Sequence, residues 1–179
     1  VTGVQTCALP IFYLPAIDNE HSKEMLALEK AYPNNCFAMM GLHPCSIKNN
    51  YKYELRIIEE HLQQRKFAAI GEIGLDFYWD KTFTNQQYEA FHMQIEWALQ
   101  KKWPIVIHSR NAPSETIDVL QQYTAKGIRG IFHCFGGTVQ EAEKIIECGF
   151  VLGIGGNNTA EIINTIKDTN FEGIDRSEE

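Results

Sequence analysis

Short apolar runs alternate with longer segments of helical period along nearly the whole chain, and that alternation admits few folds. Phe12–Ile17 is an apolar run stopped by Asp18-Asn19, which can cap a helix from about Glu20 to Tyr32 with Met25, Leu26, Leu28 and Ala31 turned inward. Cys36–Leu42 precedes Tyr51–Gln64, whose period carries Leu55, Ile58 and Leu62. Phe67–Glu72 precedes an aromatic loop and then Asn85–Lys101, where Tyr88, Phe91, Ile95, Ala98 and Leu99 form a stripe. Ile105–Ile107, Gly130–Phe132 and Phe150–Ile154 are followed by helical segments over Ser114–Ala125, Val139–Glu147 and Thr159–Ile166. About six such units of roughly 25 to 30 residues predict a parallel sheet, because parallel neighbours need a crossover and the crossover is usually a helix.

Two parallel architectures are open: a doubly wound sheet, with its site at one switch point, and a (β/α)8 barrel, which draws single residues from many strand ends. Polar residues close several successive apolar runs here, namely His43, Glu72, His108 and His133, and that distribution favours the α/β barrel. A complete barrel needs eight units and typically about 250 residues, so this one is expected to be incomplete. Glu72, at the carboxyl end of its strand, must be paired, protonated or bound to a metal. With His108 and His133 it makes a set of imidazole and carboxylate donors suited to a hydrolytic divalent metal. Three such ligands can hold one catalytic Zn2+, whereas a two-metal cluster needs a bridge and further donors.

Other residues near the expected mouth carry weaker signals. Asp76 and Arg110 can orient ligands or hold phosphate, and can equally partner each other or loop backbone. Phe77, Tyr78 and Trp79 can stack on bases or pack on helices. Gly153, Gly155 and Gly156 read as close backbone packing rather than a phosphate cradle, and strand alternation turns Cys134 away from His133 into a buried position.

Composition bounds the remaining choices. The 179 residues are 44% hydrophobic and 22% charged, ordinary for one globular domain or part of one. A net charge of -7 argues against a protein that coats nucleic acid through a general basic field, though not against an enzyme that meets phosphates through bound cations. The five cysteines show no CxxC spacing and no secretory signal, which predicts a reducing, cytoplasmic setting. No apolar run approaches the roughly 18 residues of a membrane span.

The motifs GLHP (41–44), GEIGLDFYWDKT (71–82), PIVIHSR (104–110), GIFHCFGG (130–137) and GFVLGIGG (149–156), with the spacing of Gln87 to Phe91, resemble the TatD family of metal-dependent hydrolases. That resemblance implies a TIM barrel whose two-metal site, of Zn, Mg or Mn ions, hydrolyses phosphodiester bonds in DNA from the 3′ end, with single strands or 3′ ends as substrate. It implies Glu72 as the metal-bridging carboxylate and His108 and His133 as metal ligands, with His43 structural or in an outer role. The individual catalytic groups are not implied. The family also opens with a His-x-His strand and carries an Asp in a Glu-Thr-Asp motif after the eighth strand, and neither occurs in this sequence.

Residues 1–11 and 176–179 resemble translated adapter sequence, so 12–175 is expected to be a partial barrel domain lacking its first and eighth units; the alternative is a native, irregular N-terminal arm. Such a fragment is expected to be inactive alone and to leave Phe12–Ile17 and Phe150–Ile154 as open sheet edges. Two other functions compete: a related amide or ester hydrolase, and a non-catalytic barrel segment kept for binding.

Overall fold

The computed structural model describes residues 10–155 and the short strand Ile174–Asp175. Strands β1 (Phe12–Pro15), β2 (Cys36–Met39), β3 (Ile70–Asp76), β4 (Ile105–Arg110), β5 (Gly130–Phe132), β6 (Phe150–Gly153) and β7 (Ile174–Asp175) alternate with helices α1 (Asn19–Ala31), α2 (Tyr51–Gln64), α3 (Thr84–Lys101), α4 (Pro113–Thr124) and α5 (Val139–Glu147). The helix expected over Thr159–Ile166, Gly156 and most of the two terminal segments lie outside the described residues.

The helices form where the apolar period is continued by capping chemistry. In α2 the stripe Tyr51, Leu55, Ile58 and Leu62 is buried, as the i, i+4, i+7, i+11 spacing requires. Asp18 caps α1 by accepting the His21 amide. A capping box opens α5: Thr138 accepts the Glu141 amide, and Glu141 reaches back to the Thr138 amide. Lys102, in the left-handed conformation, closes α3.

Every strand pair is parallel, and strands stand side by side in chain order, β1–β2 and β3–β4–β5–β6–β7. The two sheets are joined by a bridge between Met40 and Ile70, with the Ala68 amide donating to Ala38 at 2.9 Å and the Gly71 amide to Met40 at 3.1 Å. A doubly wound sheet reverses its order at a switch point, whereas this wall advances one neighbour at a time as barrels do. Its core runs through Met40, Leu42, Ile70, Ile73, Leu75, Ile105, Ile107 and Leu152, against the inner faces of α2 to α5.

Four expectations need correction. The third strand runs from Ile70 through Asp76 instead of stopping at Glu72, because β4 continues the ladder: Gly74 pairs with His108 and Asp76 with Arg110. Gly74 is what permits this, since its φ of 144° lies in glycine territory and a Cβ there would run into the His108 carbonyl. Leu28, 44% exposed, and Ala31 face outward from α1. Glu29 takes part of the inward position instead, where its carboxylate accepts the Ala38 amide at 2.8 Å and pairs with Arg65 at 2.6 Å. Cys134 is exposed: its φ of 48° ends the strand alternation that would have buried it. Finally, β6 is not an edge, because β7 pairs with it at Leu152 and Gly153.

Candidate metal centre

The segment just past β2 and the strands β3 and β4 bring together His43, Glu72 and His108, whose ligand atoms lie within 4.8 Å of one another. Strand geometry explains the meeting. Glu72 sits at the irregular register between Ile70 and Ile73, and His108 stands beside Gly74 on the neighbouring strand, so both side chains enter one mouth. His43 follows β2 and precedes a short 3-10 turn at Pro44–Ser46, and its ring centroid lies 4.3 Å from that of His108.

His108 is the pivot. Its Nδ1 lies 3.3 Å from Glu72 and its Nε2 2.9 Å from Asp76, so both ring nitrogens face carboxylates. Burial opposes charging of the ring, but the hydrogen bonds to Glu72 and Asp76 outweigh it and raise its pKa above the usual histidine value. A neutral imidazole can donate to only one of two such acceptors. With Nε2–H donating to Asp76, Nδ1 would be left to hold a divalent cation together with Glu72. This is the carboxylate–histidine–metal arrangement, and the donor set therefore fits a divalent metal. Burial opposes ionisation of Glu72, but the hydrogen bond to His108 and the charges of the neighbouring histidines outweigh it and lower its pKa.

Asp76, 1% exposed, serves two neighbourhoods at once. Oδ2 receives His108 Nε2 and the Cys45 thiol at 3.3 Å, while Oδ1 accepts the amides of Tyr78 at 2.9 Å and Trp79 at 3.2 Å. These bonds keep its pKa low in spite of burial. Its backbone is clamped by Gln87, which accepts the Asp76 amide at 2.9 Å and donates to the Asp76 carbonyl at 3.0 Å. Two helical turns later, Gln94 does the same for Leu42, the residue before His43. Buried glutamines thus extend the hydrogen-bonding of both strand ends from α3.

His43 is pushed down to about 4 by burial and by the charge on His108, so it is neutral near pH 7. Its Nδ1 accepts the Cys45 amide at 3.2 Å, which leaves the proton on Nε2. The side chain offers the mouth a hydrogen-bond donor. Cys45 carries a second, unanticipated set, Cys45, Asp76 and His108, with ligand atoms within 4.8 Å. Burial and the Asp76 hydrogen bond push its thiol up to about 12. No spacing rule joins Cys45 to residues that reach it only through the fold.

His133, just past β5, is exposed at the rim and joins neither three-residue set, although its charge acts on both Glu72 and His43. Its amide donates to Ile107 at 2.9 Å, which places it beside β4. Arg110 lies two residues past His108, on the same side of β4, with its guanidinium over the rings of Tyr78 and Trp79. No helix among the described residues is long and apolar enough to cross a membrane.

A family described as TatD related DNase matches residues 2–173. A Bacillus subtilis protein named uncharacterized metal-dependent hydrolase YabD is 36% identical over 120 residues, which cover 67% of this chain and 47% of the relative. An Edwardsiella piscicida protein named 3′-5′ ssDNA/RNA exonuclease TatD is 32% identical over 135 residues, covering 75% and 52%. The crystal structure of YjjV, a TatD homolog from Escherichia coli, superposes with a TM-score of 0.78 at 28% identity, over 88% of this chain and 61% of that one. A TatD family hydrolase from Entamoeba histolytica shares the fold, with a TM-score of 0.67 at 23% identity over 87% and 55%. The chain spans about half the length of the curated relatives it matches.

Proposed function

The chain belongs to the TatD related DNase family, and from that premise we propose that its parent protein is a metal-dependent deoxyribonuclease that hydrolyses phosphodiester bonds from the 3′ ends of single strands. The observation that carries the reading is His108 held between two carboxylates, one of which leaves a ring nitrogen to ligate a metal. Glu72 and His108 would hold the first ion, and the family resemblance assigns Glu72 as a bridge to a second, with His133 as a further ligand. Zn, Mg or Mn in that position supplies positive charge for the phosphoryl oxygens and lowers the pKa of water at neutral pH.

The protein's own groups do the positioning. Asp76 fixes the tautomer of His108 by accepting from Nε2. His43 Nε2–H is available to a non-bridging phosphate oxygen, and Arg110 can meet a neighbouring phosphate without losing an existing carboxylate partner among the described residues. We place this chemistry in a reducing, cytoplasmic compartment, where the thiols of Cys36, Cys45, Cys134 and Cys148 would stay reduced.

The test is cleavage of a 5′-labelled single strand by the longer gene product and by this chain, with Mg2+, Mn2+ or Zn2+ and with chelator. Progressive shortening of the labelled strand that stops with chelator is expected from the longer product. His108→Ala and His133→Ala should each remove most of it while leaving the circular-dichroism spectrum unchanged. Chelator-resistant cleavage would refute the assignment. Metal-dependent ester or amide hydrolysis without nuclease activity would transfer the site to that chemistry, and binding without turnover would indicate a non-catalytic role.

A further inference from the structure

Beside the metal centre, Tyr78, Trp79 and Arg110 form an exposed aromatic and cationic surface with no role in ligating metal. Tyr78 is 50% exposed and Trp79 68%, the highest exposure among the large hydrophobic residues described. Their rings meet edge to face at 4.7 Å, and the Arg110 guanidinium lies 3.9 Å from the Tyr78 centroid and 5.2 Å from that of Trp79. Arg110 has no carboxylate partner among the described residues, in a chain whose net charge is -7. It is kept on aromatic faces, with donors left for another acceptor.

The surface is also fixed relative to the reacting centre. One oxygen of Asp76 accepts the Tyr78 and Trp79 amides while the other accepts from His108, so a single carboxylate sets both the aromatic loop and the metal-facing histidine. The Phe77 amide donates to the Arg110 carbonyl at 2.9 Å, tying the loop to β4. Beyond it, Lys48 pairs with Asp80 at 3.0 Å and Asp80 accepts the Thr82 amide at 2.9 Å.

We propose that Trp79 and Tyr78 are a stacking platform for an unpaired base of the nucleic-acid strand, and that Arg110 binds the adjoining phosphate, so that single strands are selected before a phosphodiester reaches the metal centre. This rests on the nuclease reading above and adds the residues that choose the substrate. An unpaired base presents two π faces and its phosphate one charge, which is the complement of this surface. In a duplex the same faces are stacked on neighbouring bases.

Binding is measured in chelator, without turnover, by anisotropy of labelled (dT)10, a duplex of the same length, and a ten-unit abasic strand with the same phosphates. The wild-type chain should prefer (dT)10 over both. Trp79→Ala should weaken (dT)10 binding on the order of tenfold and leave abasic binding unchanged, while Trp79→Phe keeps most of the affinity. Arg110→Gln should weaken both strands and reduce the slope of log K against log salt by about 0.7. Quenching of tryptophan fluorescence by (dT)10 should disappear in Trp79→Phe, since Trp97 is buried and the half-buried Trp103 precedes β4, at the end of the strand away from His108 and Arg110.

Equal affinity for abasic and (dT)10 strands, or an unaffected Trp79→Ala, overturns the platform. So does wild-type protein that fails to bind (dT)10, or association of the chain with itself through Trp79. A Trp79→Ala enzyme with normal KM and metal-dependent cleavage would leave the nuclease standing without the platform. Base-dependent binding with no cleavage by the longer product would do the reverse.

Discussion

Asp76 is acidic, buried and shared, and its substitution tests the site while leaving His43, Glu72 and His108 in place. In Asp76→Asn the amide oxygen can keep the Tyr78 and Trp79 amides, but the NH2 then faces His108 Nε2 and reverses the tautomer that leaves Nδ1 to ligate. Zinc affinity measured by competition with a chromophoric chelator should fall about 10- to 100-fold; unchanged affinity would mean that Asp76 does not orient His108. A second residue-scale expectation concerns Asp18 and His21, whose ring and carboxylate meet at 2.7 Å at the start of α1. The hydrogen bond and charge of Asp18 raise the His21 pKa, while His21 bonds lower that of Asp18 although its partial burial opposes them. Their mutual stabilisation is therefore complete between about 3.8 and 6.5; it fades above, as pH passes the raised histidine value, and below, as pH passes the lowered carboxylate value. NMR titration should place His21 above 6.5, and Asp18→Asn should return it toward that value; a pKa at or below 6.5 in the parent contradicts the pairing. Glu72 and His108 stood out in the sequence because packing alone seldom sets an ionisable side chain directly after a short apolar run, although both strands continue past them. The Cys45 contact did not, since its partner lies 31 residues away and meets it only after two strands align.

At the scale of elements, α3 does more than cover the sheet. Gln87 and Gln94 lie two turns apart on its buried face and complete the hydrogen-bonding of Asp76 and Leu42, where the strands leave their neighbours. Replacing either by Leu keeps the bulk but strands a buried amide and carbonyl, so urea unfolding should show a loss of about 1–3 kcal/mol for each, with the exposed Gln100→Leu as a control within about 0.5 kcal/mol. A Gln94→Leu protein as stable as the control would show that Leu42 finds other partners. This role explains what the sequence pattern conceals: an inward glutamine interrupts an apolar stripe and reads as noise until the strand end it serves is in place. The helices themselves were legible to within a residue or two, because a stripe such as Leu55, Ile58 and Leu62 is local. The length of β3 was not, because its last residues are held by β4 and by the missing Cβ of Gly74, both long-range conditions.

For the whole molecule, the wall of parallel strands is unevenly covered. Strands of a parallel sheet are normally buried on both faces, and β2, β3 and β6 are largely so. In contrast, β1 pairs only with β2 among the described residues, and its side chains are mostly exposed, Tyr13 by 61%. Ile17, Leu28 and Tyr32, all exposed, add apolar surface from the adjoining loop and helix. An edge with unpaired backbone groups and apolar side chains is a template for pairing with another chain. The chain on its own should therefore associate as its concentration rises, seen in sedimentation velocity as a shift to larger species. Tyr13→Lys, which sets a charge on that edge, should restore the monomer, whereas Tyr53→Lys, on the exposed face of α2, should not. The two substitutions change net charge equally, so their difference isolates the edge from general repulsion. A chain that stays monomeric at high concentration, or that responds alike to both lysines, would show that β1 is protected in solution and that its exposed apolar side chains carry no tendency to pair.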